Sequence, residues 1–215
     1  MDIWIYWIGI VGTVVFAISG VLAVAPKGID LFGACVLGIT TAVGGGTMRD
    51  IILDVPVFWS LDTTYIWVSL AASILAFYTS GLFTSKNVSK LLLILDALGI
   101  SLFGIGAVDK VWDLGFGLPI SPVLLGILTA IGGGLLRDLI AGRKNLIMSR
   151  EIYAIAVMLG ATLYVLFIQY LPEYRMIGSL LGIILIFAVR LAVIQKNLFV
   201  PGWIYSPSRD TLKDD

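Results

Sequence analysis

Gly44-Gly45-Gly46-Thr47-Met48-Arg49-Asp50 and Gly132-Gly133-Gly134-Leu135-Leu136-Arg137-Asp138 are two copies of one pattern: three glycines, two intervening residues and an Arg-Asp pair. Each copy sits inside a long apolar stretch. Glycine forfeits helix propensity and leaves backbone carbonyls uncovered. Hydrocarbon cannot satisfy those carbonyls, so a glycine break in a bilayer segment must face protein or a water-filled cavity. The triplets therefore predict two broken membrane helices beside a permeation path, with Gly44, Gly45, Gly46, Gly132, Gly133 and Gly134 as its hinges.

Composition around the triplets agrees with a membrane setting. Of 215 residues, 59% are hydrophobic and 13% charged, and the mean hydropathy is +1.03, well outside the range of soluble domains. Apolar runs bounded by turn-forming residues predict helices at 3–24, 31–53, 63–84, 91–108, 120–141, 152–171 and 176–194. The fold class is thus an all-α polytopic membrane protein with seven transmembrane helices over residues 1–194 and a polar tail over 195–215. Met1-Asp2-Ile3-Trp4 offers no basic leader and no cleavage site, so the first segment is expected to remain a membrane helix.

The triplets superpose with a shift of 88 residues, which also matches Gly38 with Gly126, Thr41 with Thr129 and Ala42 with Ala130. Allowing one residue of loop difference, Gly12 and Phe16 match Gly99 and Phe103. Repeat one spans 3–84, repeat two 91–171, and the helix at 176–194 stands outside both. Three spans per copy force the second copy to enter the membrane inverted. Of the basic residues, Arg49, Lys110 and Arg175 fall on the N-terminal side and the other eleven on the opposite side. The positive-inside rule then puts the N-terminus outside and the C-terminus in the cytoplasm.

Several function classes lose support from residue content. Histidine is absent, which removes imidazole metal sites, Ser-His nucleophiles and histidine relays. Cys35 is the single cysteine and reads as a packing residue. Neither a nucleotide-binding motif nor a metal-ligand cluster is present, so no enzyme activity, no cofactor and no nucleic-acid partner is expected.

The remaining polar residues supply candidates for the path. Asp96 lies within the fourth span, where an unpaired carboxylate is costly and usually faces a cavity or a partner. Facing a cavity it would attract cations; pairing with Lys90 or Arg137 is the structural alternative. Its repeat-one counterpart is Gly9, so the path should be electrostatically asymmetric. Ser19, Thr41, Ser101 and Thr129, with Thr13 and Thr40, carry hydroxyls suited to an aqueous slot or to close helix contacts. Arg49, Asp50, Arg137 and Asp138 follow the breaks, where each aspartate meets the positive end of a resuming half-helix, as cap or vestibule. Arg143 and Lys144 follow the fifth span and suit topology or anionic lipid headgroups.

On the two Gly-Gly-Gly-x-x-Arg-Asp copies, the Asp96-Ala97-Leu98-Gly99 stretch and the three-plus-three-plus-one pattern of spans, the chain resembles the prokaryotic branch of the trimeric intracellular cation (TRIC) channel family. That group's repeated domain has also been labelled a UPF0126 or glycine-transporter domain. The resemblance implies a homotrimer in a prokaryotic plasma membrane. Each protomer would enclose its own path between its first, second, fourth and fifth helices, conducting K+ and some Na+. Animal relatives bind a phosphoinositide through a lysine-glutamate-valine segment, where this chain has Gly133-Gly134-Leu135-Leu136-Arg137 and lacks that lysine. Two functions fit: a passive K+ channel, or a secondary transporter of glycine or a similar small zwitterion.

Overall fold

The computed structural model describes residues 3–81, 85–143 and 153–196. Within them are eight α-helices: α1 (Ile3–Val24), α2 (Leu31–Ile52), α3 (Phe58–Leu61), α4 (Thr64–Ser80), α5 (Ser85–Asp113), α6 (Ile120–Ile140), α7 (Ala154–Tyr170) and α8 (Arg175–Lys196). Five of these, all but α3, α4 and α7, are long and apolar enough to cross a membrane. The surface is apolar too, with Phe32, Trp67, Leu75, Leu139 and Ile184 exposed. Water would not tolerate so continuous an apolar exterior, whereas lipid does. The chain is an integral membrane protein.

Local chemistry sets the helix ends. Asp30 accepts a hydrogen bond from Gly33 N at 2.9 Å and caps α2, satisfying one of the donors that a helix N-terminus leaves open. The α5 helix is longer than the expected span at 91–108. Its added C-terminal turn is held by ion pairs from Asp109, Lys110 and Asp113, so polar residues extend the helix where apolar periodicity has ended.

The expected breaks are not present as interruptions of helix. Both α2 and α6 run unbroken through their glycine triplets. The glycines serve instead to bring two main chains together. A Cβ on Gly45 would lie 2.1 Å from Thr129 O, and one on Gly133 would lie 2.3 Å from Thr41 O. Likewise Gly44 faces the Leu136 side chain and Gly132 faces Met48. These contacts are reciprocal under the 88-residue shift, and their order shows that α2 and α6 cross antiparallel. The i to i−4 ladder already satisfies the glycine carbonyls, so neither triplet needs water to satisfy its backbone.

The same reciprocity joins α1 to α5. Gly12 makes room for Phe103 and Gly99 for Phe16, and the two rings stack at 5.2 Å with an interplanar angle of 22°. Around them packs the main core, including Ile100, Ile105, Val108, Val157, Tyr164 and Ile186. Pairing of Gly12 with Phe103 and of Phe16 with Gly99 also runs antiparallel, as an inverted repeat requires.

Close crossing makes these glycines hard to replace. Gly45→Ala and Gly133→Ala should each destabilise the protein by about 1–3 kcal/mol, the usual cost of overpacking. Gly106→Ala, whose added methyl meets nothing within 4 Å, should be neutral or stabilising by up to about 1 kcal/mol. Thermal unfolding in detergent measures the difference.

Candidate functional site

Each Arg-Asp pair occupies the last turns of its helix, and each recruits a different set of partners. At the N-terminal end, Arg49 Nε donates to Asp50 Oδ1 at 2.8 Å, and Lys110 Nζ of α5 donates to the same oxygen at 2.8 Å. Phe58 N donates to Asp50 Oδ2 at 2.8 Å, so this carboxylate also caps the short α3. At the other end, Arg137 Nε donates to Asp138 Oδ1 at 2.9 Å, while Arg137 Nη1 donates to Asp96 Oδ1 at 2.9 Å and to Ser19 Oγ at 3.3 Å. Tyr153 Oη donates to Asp96 Oδ2 at 2.9 Å, and the Arg190 guanidinium lies 4.6 Å from the centre of the Tyr153 ring.

The two clusters differ in charge. One carboxylate, Asp50, is shared by two cations, Arg49 and Lys110. One cation, Arg137, is shared by two carboxylates, Asp96 and Asp138. Asp96 and Arg137 are both fully buried. Removing such ions from water costs several kcal/mol each, and only multiple short bonds offset it. Asp96 meets that requirement through Arg137 and Tyr153, so the structure selects the ion pair over an unpaired carboxylate facing a cavity.

Repeat symmetry accounts for the difference between the two ends. Positions 96 and 153 correspond to Gly9 and Tyr65 in repeat one. There the Tyr65 hydroxyl lies beside Gly9 with no carboxylate between them. In place of a filled cluster stands a crevice of about 350 Å³, bordered by Tyr6, Gly9, Gly46, Arg49, Phe58 and Tyr65 and, from α5, by Phe103, Asp109 and Lys110. Phe103 lies ten residues before the end of α5, about 15 Å inward at 1.5 Å per residue. The crevice thus reaches roughly half the depth of a bilayer core and stops at the stacked Phe16 and Phe103. At its rim, the Thr64 hydroxyl and backbone N–H bond the Asp62 carboxyl and hold it below the usual carboxylate range.

Other candidates land elsewhere. The aspartates do not begin half-helices: Asp50 and Asp138 end continuous ones. The hydroxyls of Thr13, Ser19, Thr41, Ser101 and Thr129 all donate to carbonyls three or four residues back on their own helices, and all five are buried. They pack the helix contacts, and Ser19 alone also accepts from an ion. Arg143 reaches back to Ala23 O at 3.4 Å, where a cation suits the negative end of α1. Gln195 and Lys196 close α8, while Lys144, Arg150 and the tail from 197 to 215 lie outside the described residues.

Sequence reasoning misses Tyr153, Tyr164, Asp109 and Arg190, which the structure places in the polar clusters at the two ends. Tyr153 was findable, because the 88-residue shift maps it onto Tyr65. Asp109 had the signal of an acid inside a span, masked by its nearness to the predicted helix end.

Removing the shared acceptor exposes the cost of the buried cation. Asp96→Ala leaves Arg137 with Asp138 as its one carboxylate partner and should lower stability by about 3 kcal/mol, read as a fall in the thermal midpoint of the detergent-solubilised protein.

Comparison with known proteins agrees with this architecture. The family described as "Glycine transporter" matches twice, over residues 6–80 and 93–169. The UPF0126 inner membrane protein YadS of Escherichia coli K12 is 41% identical over 204 residues, covering 92% of this chain and 95% of that protein. A UPF0126 membrane protein of Vibrio cholerae is 34% identical over 202 residues, covering 92% and 82%. Among solved structures, the TRIC trimeric intracellular cation channel orthologue from Rhodobacter sphaeroides superposes with a TM-score of 0.86 at 32% identity, over 92% of this chain and all of that one. A prokaryotic TRIC channel crystallised in 0.5 M KCl gives 0.85 at 28% identity, over 93% of this chain and all of that one. With two glycine-transporter units that cross at their glycine triplets, the chain belongs to the UPF0126 family of membrane proteins, whose fold is that of the prokaryotic TRIC channels.

Proposed function

We propose that this protein is a passive channel for monovalent cations, K+ above all. In this reading α4 and α7, each 17 residues long, cross the bilayer with the other five, giving seven spans, and the N-terminus lies outside. Membrane-domain limits near 1–194 and repeats over 3–84 and 91–171 follow from the same reading. Three protomers assemble, each with its own path between α1, α2, α5 and α6. The supporting observation is the half-depth crevice that ends at Phe16 and Phe103 and is aligned with a polar cluster on the far side of those rings. Likeness to solved structures of TRIC cation channels supports the same reading.

The path is closed in this conformation. A cation entering from the crevice meets the two aromatic rings, then the Arg137, Asp96 and Tyr153 cluster. Opening needs Arg137 to part from Asp96, and bending of α2 and α6 at their triplets is the motion that would separate them. Because the triplets sit at the α2/α6 crossing, a small bend there moves Arg49 and Arg137 at the opposite ends of the path. Arg143 and Lys144 are then the residues whose charge suits anionic headgroups on the cytoplasmic side.

Carrier function would require two gates that exclude each other, one at each end. The lock between Asp96 and Tyr153 has Gly9 and Tyr65 as its counterparts, and Gly9 brings no carboxylate. A single ionic gate favours a channel over a transporter of glycine or another zwitterion.

Recording from the purified protein in a planar bilayer under a K+/Na+ gradient should give ohmic unitary currents whose reversal potential carries the sign set by K+ permeating more readily than Na+. Saturable, stereospecific uptake without unitary currents would overturn the channel. Tyr153→Phe removes one hydrogen bond from the closed cluster, worth about 1 kcal/mol, and should raise the open-to-closed ratio about five-fold.

A further inference from the structure

One wall of the crevice carries a carboxylate with no counterpart in the other repeat. Asp109 borders the crevice and is 1% exposed; the matching position in repeat one is Leu22, apolar and buried. Two other helices clamp it. Tyr164 of α7 donates to Asp109 Oδ1, and Arg175 of α8 donates to the same oxygen from Nε at 2.8 Å. Arg175 Nη2 extends to Asp113 Oδ1 at 2.6 Å. All of these bonds to Asp109 fall on Oδ1, so the lone pairs of Oδ2 are not spent on α7 or α8. α8 stands outside both repeats, yet its first residue reaches into the wall of the path.

Charge divides the crevice into two sides. Arg49 and Lys110 share Asp50, an excess of one positive charge on the α2 side. Asp109 and Asp113 share Arg175, an excess of one negative charge on the side of α5 and α8, with Asp62 adding another at the rim. A narrow cavity with apolar walls focuses such a field and raises the local concentration of counter-ions. Asp96 is no rival for this role, because it lies beyond Phe16 and Phe103 and is engaged by Arg137 and Tyr153.

We infer that Asp109 is the group that concentrates hydrated monovalent cations in the crevice, and that Arg175 sets its strength by partial neutralisation. This inference rests on the channel reading above. The competing role is mechanical, with the clamp only fastening α8 to α5. The two roles differ in sign. Asp109→Asn and Arg175→Gln both break the clamp, so a fastening role moves both variants the same way. A charge role moves them in opposite directions, since one removes the negative charge and the other unmasks it.

The experiment is single-channel recording of the full chain with KCl varied on the crevice side. At about 0.1 M KCl, where the Debye length is about 10 Å, Asp109→Asn should lower unitary conductance about two-fold and shift the reversal potential toward anion permeability. Under the same conditions Arg175→Gln should raise conductance and sharpen cation preference. Asp109→Glu should restore the unsubstituted behaviour. At about 1 M KCl, where the Debye length is about 3 Å, the differences should largely vanish. Parallel changes in the two variants, or Asp109→Asn unchanged at low salt, overturn the inference while leaving the channel in place. Absence of unitary currents from the unsubstituted protein overturns the channel reading and the inference together.

Discussion

The structure depends on two main chains being allowed to touch. At the crossing of α2 and α6, Gly45 approaches Thr129 O and Gly133 approaches Thr41 O so closely that a single methyl at either position would collide with backbone. In lipid no hydrophobic drive separates helix–helix from helix–tail contact, so close packing and interhelical polar bonds hold the bundle together. A contact between backbones is as close as packing can become. Once it is made, the stacked pair Phe16 and Phe103 lies between α1 and α5, and the two Arg-Asp pairs project toward opposite ends of the same axis.

On that symmetric frame the two ends have diverged by few residues. Gly9 opposite Tyr65 leaves space; Asp96 opposite Tyr153 fills it and ties down Arg137. Lys110 joins the open end and Arg190 the closed one. The charge stoichiometry inverts accordingly, two cations on one carboxylate against two carboxylates on one cation. An inverted repeat with identical halves would present the same cluster at both ends; these substitutions make the two ends unlike. The helix outside the repeats adds to that difference, because Arg175 reaches the crevice wall only at the open end.

Much of the architecture was legible beforehand because it rests on short-range rules. Apolar periodicity and turn residues placed α1, α2, α6 and α8 within a residue or two of their observed ends, and the 88-residue shift identified the partners that meet across the axis. The physical role assigned to the glycines was mistaken in one respect. Low propensity suggested broken helices, whereas packing across the crossing holds α2 and α6 helical throughout. Propensity describes an isolated segment, and here tertiary contact overrides it. The hydroxyls misled for a related reason. Ser and Thr in apolar helices bond their own preceding carbonyls, so their presence in a span does not indicate water.

What the order of residues determined alone was the membrane class, the approximate limits of most apolar segments, the duplication and its inversion. Each of these follows from hydropathy, spacing and parity, none of which requires knowing what touches what. Only the tertiary structure decided that Asp96 is paired and not free, that Asp50 binds two cations, that Asp109 borders a crevice and that one end is open. Those outcomes depend on side chains 41 to 66 residues apart in sequence meeting within 3 Å. The free energy of a buried charge is set by its neighbours in space, and those neighbours exist only after the helices have packed.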